Sequence, residues 1–308
     1  MELANVSSSE LANRVRVAEL DDARAINRML RRVPNSHIHV DWRLPLDWLG
    51  TDGFVVVPEP VFSTGQRQLI ADKFLPPTRR LIGCLAAVAD PPPAAWVRLA
   101  SVAAVADSQA VLAVMLTKVI EFLRETAVTQ LGWLAVQSWP NAWLPELGFV
   151  RANEIETYVK EDDWLPPVTA VPHLTIRPVQ SSDMPRLEAI ERAAFAPLWR
   201  HSADTLTLAS QQALCFDVAE IDQQIVAFQL SSRTEAGAHL VRLTVDPAWQ
   251  QQGVGSAVLN HTLQTYHRYG LHQVSLNTQL DNISSQILYR KFGFSASGQR
   301  FPVWVFTL

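Results

Sequence analysis

The same punctuation occurs twice along the 308-residue chain, and it restricts the fold more than any other feature. Near the start, Arg14-Val15-Arg16-Val17 alternates. Asp21-Asp22 then precedes a helical run through Ala25, Ile26, Met29 and Leu30. Further on, Leu174-Thr175-Ile176-Arg177 alternates, and Ser182-Asp183 precedes Leu187, Ile190, Ala194 and Phe195. In each half an arginine (Arg16, Arg177) stands a few residues before an aspartate (Asp22, Asp183). The halves also close alike. Leu147-Gly148-Phe149 and Phe292-Gly293-Phe294 each precede an alternating strand, Glu154 to Val159 and Val303 to Phe306. Repetition at this length predicts a duplicated domain and not a solenoid. Between the copies, Trp164-Leu165-Pro166-Pro167 to Pro172-His173 reads as a linker, because proline fixes φ and removes backbone donors. The expected division is 1–163, a linker at 164–173, and 174–308. Each part is long enough to bury its own core.

The second copy has the clearer order. Strands are expected at Cys215–Glu220 and Ile225–Ser231, joined by a tight turn at Asp222-Gln223, and at His239–Val245. A helix follows from Val254 to about Tyr269, with Val254, Val258, Leu259, Thr262 and Tyr266 at helical spacing and Gly270 as its stop. Then come a strand at Val274–Thr278, a helix at Asn282–Lys291 and the closing strand. This is an α/β fold with a mixed sheet.

Between the strand ending at Val245 and the helix starting at Val254 lies Asp246-Pro247-Ala248-Trp249-Gln250-Gln251-Gln252-Gly253. A glycine-containing turn that opens a helix leaves several N–H groups without intrahelical partners, at the positive end of the helix dipole. That is a site for a diphosphate. Gly253 and Gly255 remove Cβ atoms that would hold a phosphate away from the backbone. A dinucleotide-binding loop would need its third small residue at position 258, which is Val258, and there is no Walker lysine. Alone, the turn is also compatible with an ordinary strand-to-helix connection.

Gln250-x-x-Gly253-x-Gly255 does not stand alone. Asn277, Asn282 and Ser285 follow, and then Leu288-Tyr289-Arg290-Lys291-Phe292-Gly293-Phe294. Together these two ordered blocks resemble the GCN5-related N-acetyltransferase (GNAT) superfamily over roughly residues 174–308, with Ser285 where alanine is usual. The resemblance implies acetyl-CoA as cosubstrate and two tandem acyl-CoA N-acyltransferase-type domains. It implies a pantetheine arm held in a gap between splayed strands by Leu243, Thr244 and Val245. It further implies a pyrophosphate held by Gln250, Gln251, Gln252, Gly253, Val254, Gly255 and Ser256. Asn277, Asn282, Ser285 and Tyr289 complete the implied coenzyme contacts, and Asn282 also suits a helix N-cap. Tyr289 is the implied proton donor to the departing sulfur. His239, at the head of the strand where histone-acetylating relatives place a glutamate, is a candidate base; Glu220 and Glu235 are weaker ones. Trp199 lies where relatives form one wall of the acceptor site.

The first copy resembles the same fold without its chemistry. Trp96-Val97-Arg98-Leu99 is similar to Leu240-Val241-Arg242-Leu243. The region that should hold the glycine turn reads Ala106-Asp107-Ser108-Gln109-Ala110-Val111, and an aspartate there would repel a diphosphate. Leu144 stands in the place of Tyr289, beside Pro145. No coenzyme is expected in this half. Six of the ten tryptophans lie here: Trp42, Trp48, Trp96, Trp133, Trp139 and Trp143. They suit either an aromatic core or an acceptor pocket.

Net charge is −4, and neither half carries the basic excess of a nucleic-acid binder. Cys84 and Cys215 lack metal-type spacing and read as reduced thiols. His37-x-His39 has no convincing third ligand, so no metal is expected. Met1–Ser9 lacks a signal-peptide apolar stretch, and Val102–Leu116 is broken by Asp107-Ser108-Gln109. With the activity that the resemblance implies, a cytoplasmic N-acetyltransferase with a small-molecule or peptide amine acceptor is expected, with no nucleic-acid or membrane partner and an open oligomeric state. A coenzyme-A-binding sensor or scaffold without turnover is the alternative.

Overall fold

The computed structural model describes residues 8–59, 79–105 and 107–308; Ala106 and most of Met1–Ser9, singled out above, lie outside them. The chain divides into two compact units. One is Met1–Arg151 with Trp304–Leu308, and the other is Ala152–Val303.

The first unit is a sheet with helices on both faces. After a short helix, α1 (Ser8–Ala12), come strands β1 (Arg16–Val17), β2 (Ser36–Ile38), β3 (Phe54–Pro58), β4 (Leu81–Ala89), β5 (Ala94–Val102) and β6 (Gln130–Leu134). The order is β1-β3-β4-β5-β6, followed by Trp304–Leu308, with β2 added against β5. β5 and β6 are parallel, joined by α3 (Ser108–Arg124); the other pairings from β1 to β5 are antiparallel. The pleat sends alternate residues to opposite faces. Leu85, Val97 and Trp133 pack with Met115 of α3, whereas Phe54, Val56 and Leu99 pack with Ile26 and Met29 of α2 (Ala23–Arg32).

The second unit repeats the plan. Its strands are β7 (Val150–Lys160), β8 (Leu174–Pro178), β9 (Cys215–Ile221), β10 (Gln224–Arg233), β11 (Ala238–Val245), β12 (Val274–Gln279) and β13 (Ser295–Thr307), the first and last only in part. The order is β7-β12-β11-β10-β9-β8. The helices are α4 (Met184–Ala194), α5 (Ala203–Gln212), α6 (Val254–Arg268) and α7 (Ile283–Lys291). The expected strand and helix bounds hold to within a few residues, except that the closing strand begins at Ser295 and not at Val303. Asp222 and Gln223 take left-handed conformations (φ 49° and 66°), as a two-residue hairpin turn demands. α5, capped by the Ser202 hydroxyl on Thr205 N–H at 3.0 Å, was not expected.

The repeated arginine and aspartate have one physical role. Arg16 grips Asp22 with two bonds of 2.6 and 2.7 Å, and Arg177 grips Asp183 with bonds of 2.8 and 3.1 Å. Each aspartate also accepts the backbone N–H three residues before it, Glu19 or Gln180, so the pair fixes the strand-to-helix turn.

The compact units are bounded differently from the expected 1–163, 164–173 and 174–308. The sequence places Glu154 to Val159 at the close of the first copy, but Ile155–Lys160 pairs antiparallel with Gln279–Val274 of β12, inside the second unit. The last residues of β13 belong to the first unit, where Leu308 N–H bonds Thr129 O at 3.0 Å. The cuts therefore fall at 151 and 303. Alternation in a sequence reveals a strand with unlike faces; it does not reveal which edge that strand joins.

Candidate active site

β11 and β12 run parallel, but their register covers only Ala238–Leu240 against Val274–Leu276. On its other edge β11 stays paired with β10 as far as Val245. Val241–Val245 thus presents one edge to a gap, and no strand among the described residues pairs with it there. Asp246 N–H bonds Val226 O of β10 at 2.8 Å. Backbone groups alternate in direction along a strand, so the Leu243 and Val245 amides face the gap and those of Arg242 and Thr244 face β10.

The gap leads to the glycine turn. Asp246 closes the 3-10 turn Pro247–Trp249 by accepting Ala248 N–H, and its other oxygen accepts Arg186 Nη2 of α4 at 2.6 Å. The Gln250 side chain donates to Val245 O at 3.1 Å, and that of Gln252 to Ala248 O at 2.9 Å. Gln251 and Gly253 are left-handed, with φ 60° and 84°. The first backbone bond of α6 runs from Ala257 N–H to Gly253 O at 3.0 Å, so the Val254, Gly255 and Ser256 amides precede it. Gly253 is required by its φ. Gly255 is not, and a Cβ there would meet its nearest neighbours, Leu288 Cδ2 and Val245 Cγ2, at an ordinary 3.6 Å. The chain's own packing therefore does not demand glycine at 255, whereas close approach of a phosphate to the backbone does. The turn fits a coenzyme diphosphate.

Tyr289 of α7 is buried beneath β11 with Leu240, Leu259 and Tyr266, its ring 5.9 Å from that of Phe294. Burial pushes its phenol up to about 12, opposed by a hydrogen bond with Ser285 and by the charge of Arg242. Asn282 caps α7, its Oδ1 accepting Ser285 N–H at 3.2 Å. Asn277 accepts the Thr157 hydroxyl of β7 at 2.9 Å. His239 Nδ1 lies 2.8 Å from Ser275 Oγ of β12, and burial holds its imidazole below the ordinary histidine value.

Three expected residues stand differently. The Thr244 hydroxyl bonds Glu191 Oε1 at 2.9 Å, and its amide faces β10, so the pleat turns it away from the gap. The Gln250 N–H already bonds Pro247 O at 3.4 Å. Glu220 is held by Arg177, beside Asp183, as an anchor of the sheet edge.

A buried cluster escaped the sequence reading. Glu191 of α4 is fully buried and accepts Arg242 Nε at 2.9 Å, a second bond from Arg242 Nη2, and His201 N–H at 3.0 Å, besides the Thr244 hydroxyl. Arg242 also donates to Trp199 O and lies over the Phe195 ring at 3.8 Å. Burial pushes the Glu191 carboxyl up, but Arg242, helped by His201, outweighs it and holds the group below the usual carboxylate range. Trp199, half-buried in the 3-10 turn Pro197–Trp199, is thereby tied to β11. The signal in the sequence was a lone Glu in the apolar stripe Leu187, Ile190, Ala194, which needs a buried partner.

Among the described residues no cluster of three His, Cys, Asp or Glu is disposed to hold a metal, and no helix is long and apolar enough to cross a membrane. Both cysteines are free thiols, and burial pushes that of Cys84 up to about 12.

Parallel strands that part beside a helix-opening glycine turn define an acyl-CoA-type transferase fold, and known proteins agree. The acetyltransferase (GNAT) family matches residues 184–294. The chain is 31% identical over 121 residues to the [ribosomal protein bS18]-alanine N-acetyltransferase of Haemophilus ducreyi, 39% of this chain and 81% of that one. The chain belongs to the GNAT family and is an acyltransferase. Two solved structures share its tandem-length fold. A GCN5-related N-acetyltransferase from Sphaerobacter thermophilus has a TM-score of 0.58 and 16% identity over 95% of both chains. A tandem GNAT protein from the clavulanic acid biosynthesis pathway has a TM-score of 0.51 and 17% identity over 74% of this chain and 79% of that one.

Proposed function

We propose that the second unit transfers an acetyl group from acetyl-CoA to a primary amine, and that the first unit does not take part in the chemistry. The observation that carries this reading is the gap at Leu243–Val245 opening onto the uncapped amides of Val254–Ser256. The Leu243 and Val245 backbones would hold the pantetheine arm as a neighbouring strand would. The Val254, Gly255 and Ser256 amides would hold the pyrophosphate, with Gln250 and Gln252 shaping the turn.

The amine attacks the thioester carbonyl; the C–N bond forms and the C–S bond breaks. An alkyl ammonium, with pKa about 10, must first lose a proton. His239, kept neutral by burial, accepts it, directly or through water. Tyr289 donates a proton to the departing sulfur. Its phenol stays protonated across the working pH range, and the same dry surroundings raise the proton affinity of the emerging thiolate. Glu191 touches no reacting atom. It positions Arg242, and through Arg242 the Trp199 segment, beside β11. The H. ducreyi relative acts on an alanine of a ribosomal protein, so peptides with an N-terminal alanine join small amines as acceptors to test.

The test is an acceptor screen read by amine-dependent thiol release, with Tyr289→Phe alongside. The expected result is turnover with at least one amine, reduced on the order of 10²-fold in kcat by the substitution. Coenzyme binding without amine-dependent release across the screen would favour a sensor or scaffold.

A further inference from the structure

The first unit contains the same parting of parallel strands, and there the gap is filled. β5 pairs with β6 only along Ala94–Trp96, while β4 covers the opposite edge of β5 as far as Val102. The edge that β6 has left is taken by β2, running antiparallel, with Ile38, His37 and Ser36 opposite Leu99, Ala100 and Ser101. Two bonds extend the ladder: His39 N–H to Arg98 O at 2.8 Å, and Val102 N–H to Asn35 O at 2.9 Å.

Matching β-bulges fix the equivalence of the two units. The extra residue of β5 is Arg98, opposite the step Ala86/Ala87; that of β11 is Val241, opposite Leu230/Ser231. The bond from Ala103 N–H to Ile82 O matches that from Asp246 N–H to Val226 O. Counted this way, Ala100 and Val102 correspond to Leu243 and Val245, one residue away from the correspondence read in the sequence. The two amides that face an open gap in the second unit therefore have counterparts bonded to the chain's own backbone in the first.

The segment is anchored on both sides. Ser36 Oγ lies 2.8 Å from Ser101 Oγ of β5, and Trp139, just beyond β6, donates its Nε1 to Ser36 O at 3.1 Å. His37 is buried with its ring 5.4 Å from that of Trp133 on β6, and its Nε2 lies 3.3 Å from Val97 O. His39 stacks on Trp96 at 4.9 Å. The anion end is answered as well. Asp107 caps α3, its Oδ1 accepting Ala110 N–H at 2.8 Å, so a carboxylate occupies the helix start that a diphosphate would need.

We propose that the first unit carries its own ligand: Asn35–His39 lies where a pantetheine arm would lie, and the Asp107 carboxylate takes the place of the diphosphate. A tethered occupant competes at an effective concentration in the ~mM range or above, and it brings a bonded ladder that an incoming arm would have to break. The chain then binds one coenzyme. The proposal rests on the reading above only for the identity of the ligand that is shut out.

Residue-resolved amide exchange on the unmodified full chain, with and without CoA, tests it. Without CoA, the Ala100 and Val102 amides should exchange on the order of 100-fold more slowly than those of Leu243 and Val245. CoA should slow Leu243 and Val245 and leave Ala100 and Val102 unchanged, with one CoA bound per chain by calorimetry. Fast exchange at Ala100 and Val102 that slows on adding CoA, or two CoA per chain, would overturn the proposal. Slow exchange at Ala100 and Val102 with no response anywhere to CoA would support the internal ligand and sink the coenzyme reading of the second unit.

Discussion

At the residue scale, the proposed chemistry turns on half-buried His239, and its support on buried Glu191. His239 acts as a base only when neutral, and its depressed value extends the neutral form to the acid side of the ordinary 6.5. The acid limb of kcat/KM is therefore expected below that pH. His239→Gln should remove the limb and lower the plateau on the order of 10²-fold; a limb that survives the substitution would assign the base elsewhere. Glu191 supports the site from beneath. Its folded-state pKa is lowered, so its contribution to stability is complete above the ordinary 4.5 and is lost as pH falls through the depressed value. Glu191→Gln strands the Arg242 charge and should cost about 3 kcal/mol in urea unfolding at neutral pH. A loss under about 0.5 kcal/mol would show that Arg242 finds other partners.

At the element scale, length decided what the sequence disclosed. β11 and α6 were legible because each runs long enough to show its period, and the glycines mark where one gives way to the other. β2 was not, because Ser36–Ile38 is too short to show a period. In the sequence His37-x-His39 suggests only a metal pair lacking a third ligand; in the fold it pairs through its backbone and packs against tryptophan rings. The aromatic cover itself draws on Trp96, Trp133 and Trp139, which the sequence left open between core and pocket. Burial lowers the His37 imidazole to about 4 from 6.5, against the hydrogen bond with Val97 O; the neighbouring titratable ring is His39, 6.4 Å away. The unfolded chain therefore takes up a proton near 6.5 that the folded chain refuses until about 4. Stability should fall by about 3 kcal/mol as pH drops through that window. Thermal unfolding of the wild type and His37→Gln across pH 7 to 4 checks it; equal slopes would show that His37 is not the group responsible.

At the scale of the whole molecule, duplication was legible and its bookkeeping by residue was not. The Arg16–Asp22 and Arg177–Asp183 turns were visible as spacing and proved to be the same ion pair twice. The units, however, begin and end at 151 and 303, because strand edges are chosen by three-dimensional pairing that a linear pattern does not encode. The same limit explains Glu191 and Arg242: residues far apart in sequence become partners only when α4 packs on β11. The central claim is that one of two like folds keeps its gap open for a coenzyme. A structure of the full chain with CoA tests it most directly. The account predicts the arm along Leu243–Val245 and the pyrophosphate on the Val254, Gly255 and Ser256 amides; a coenzyme seated against β5, or anywhere other than that turn, would contradict it.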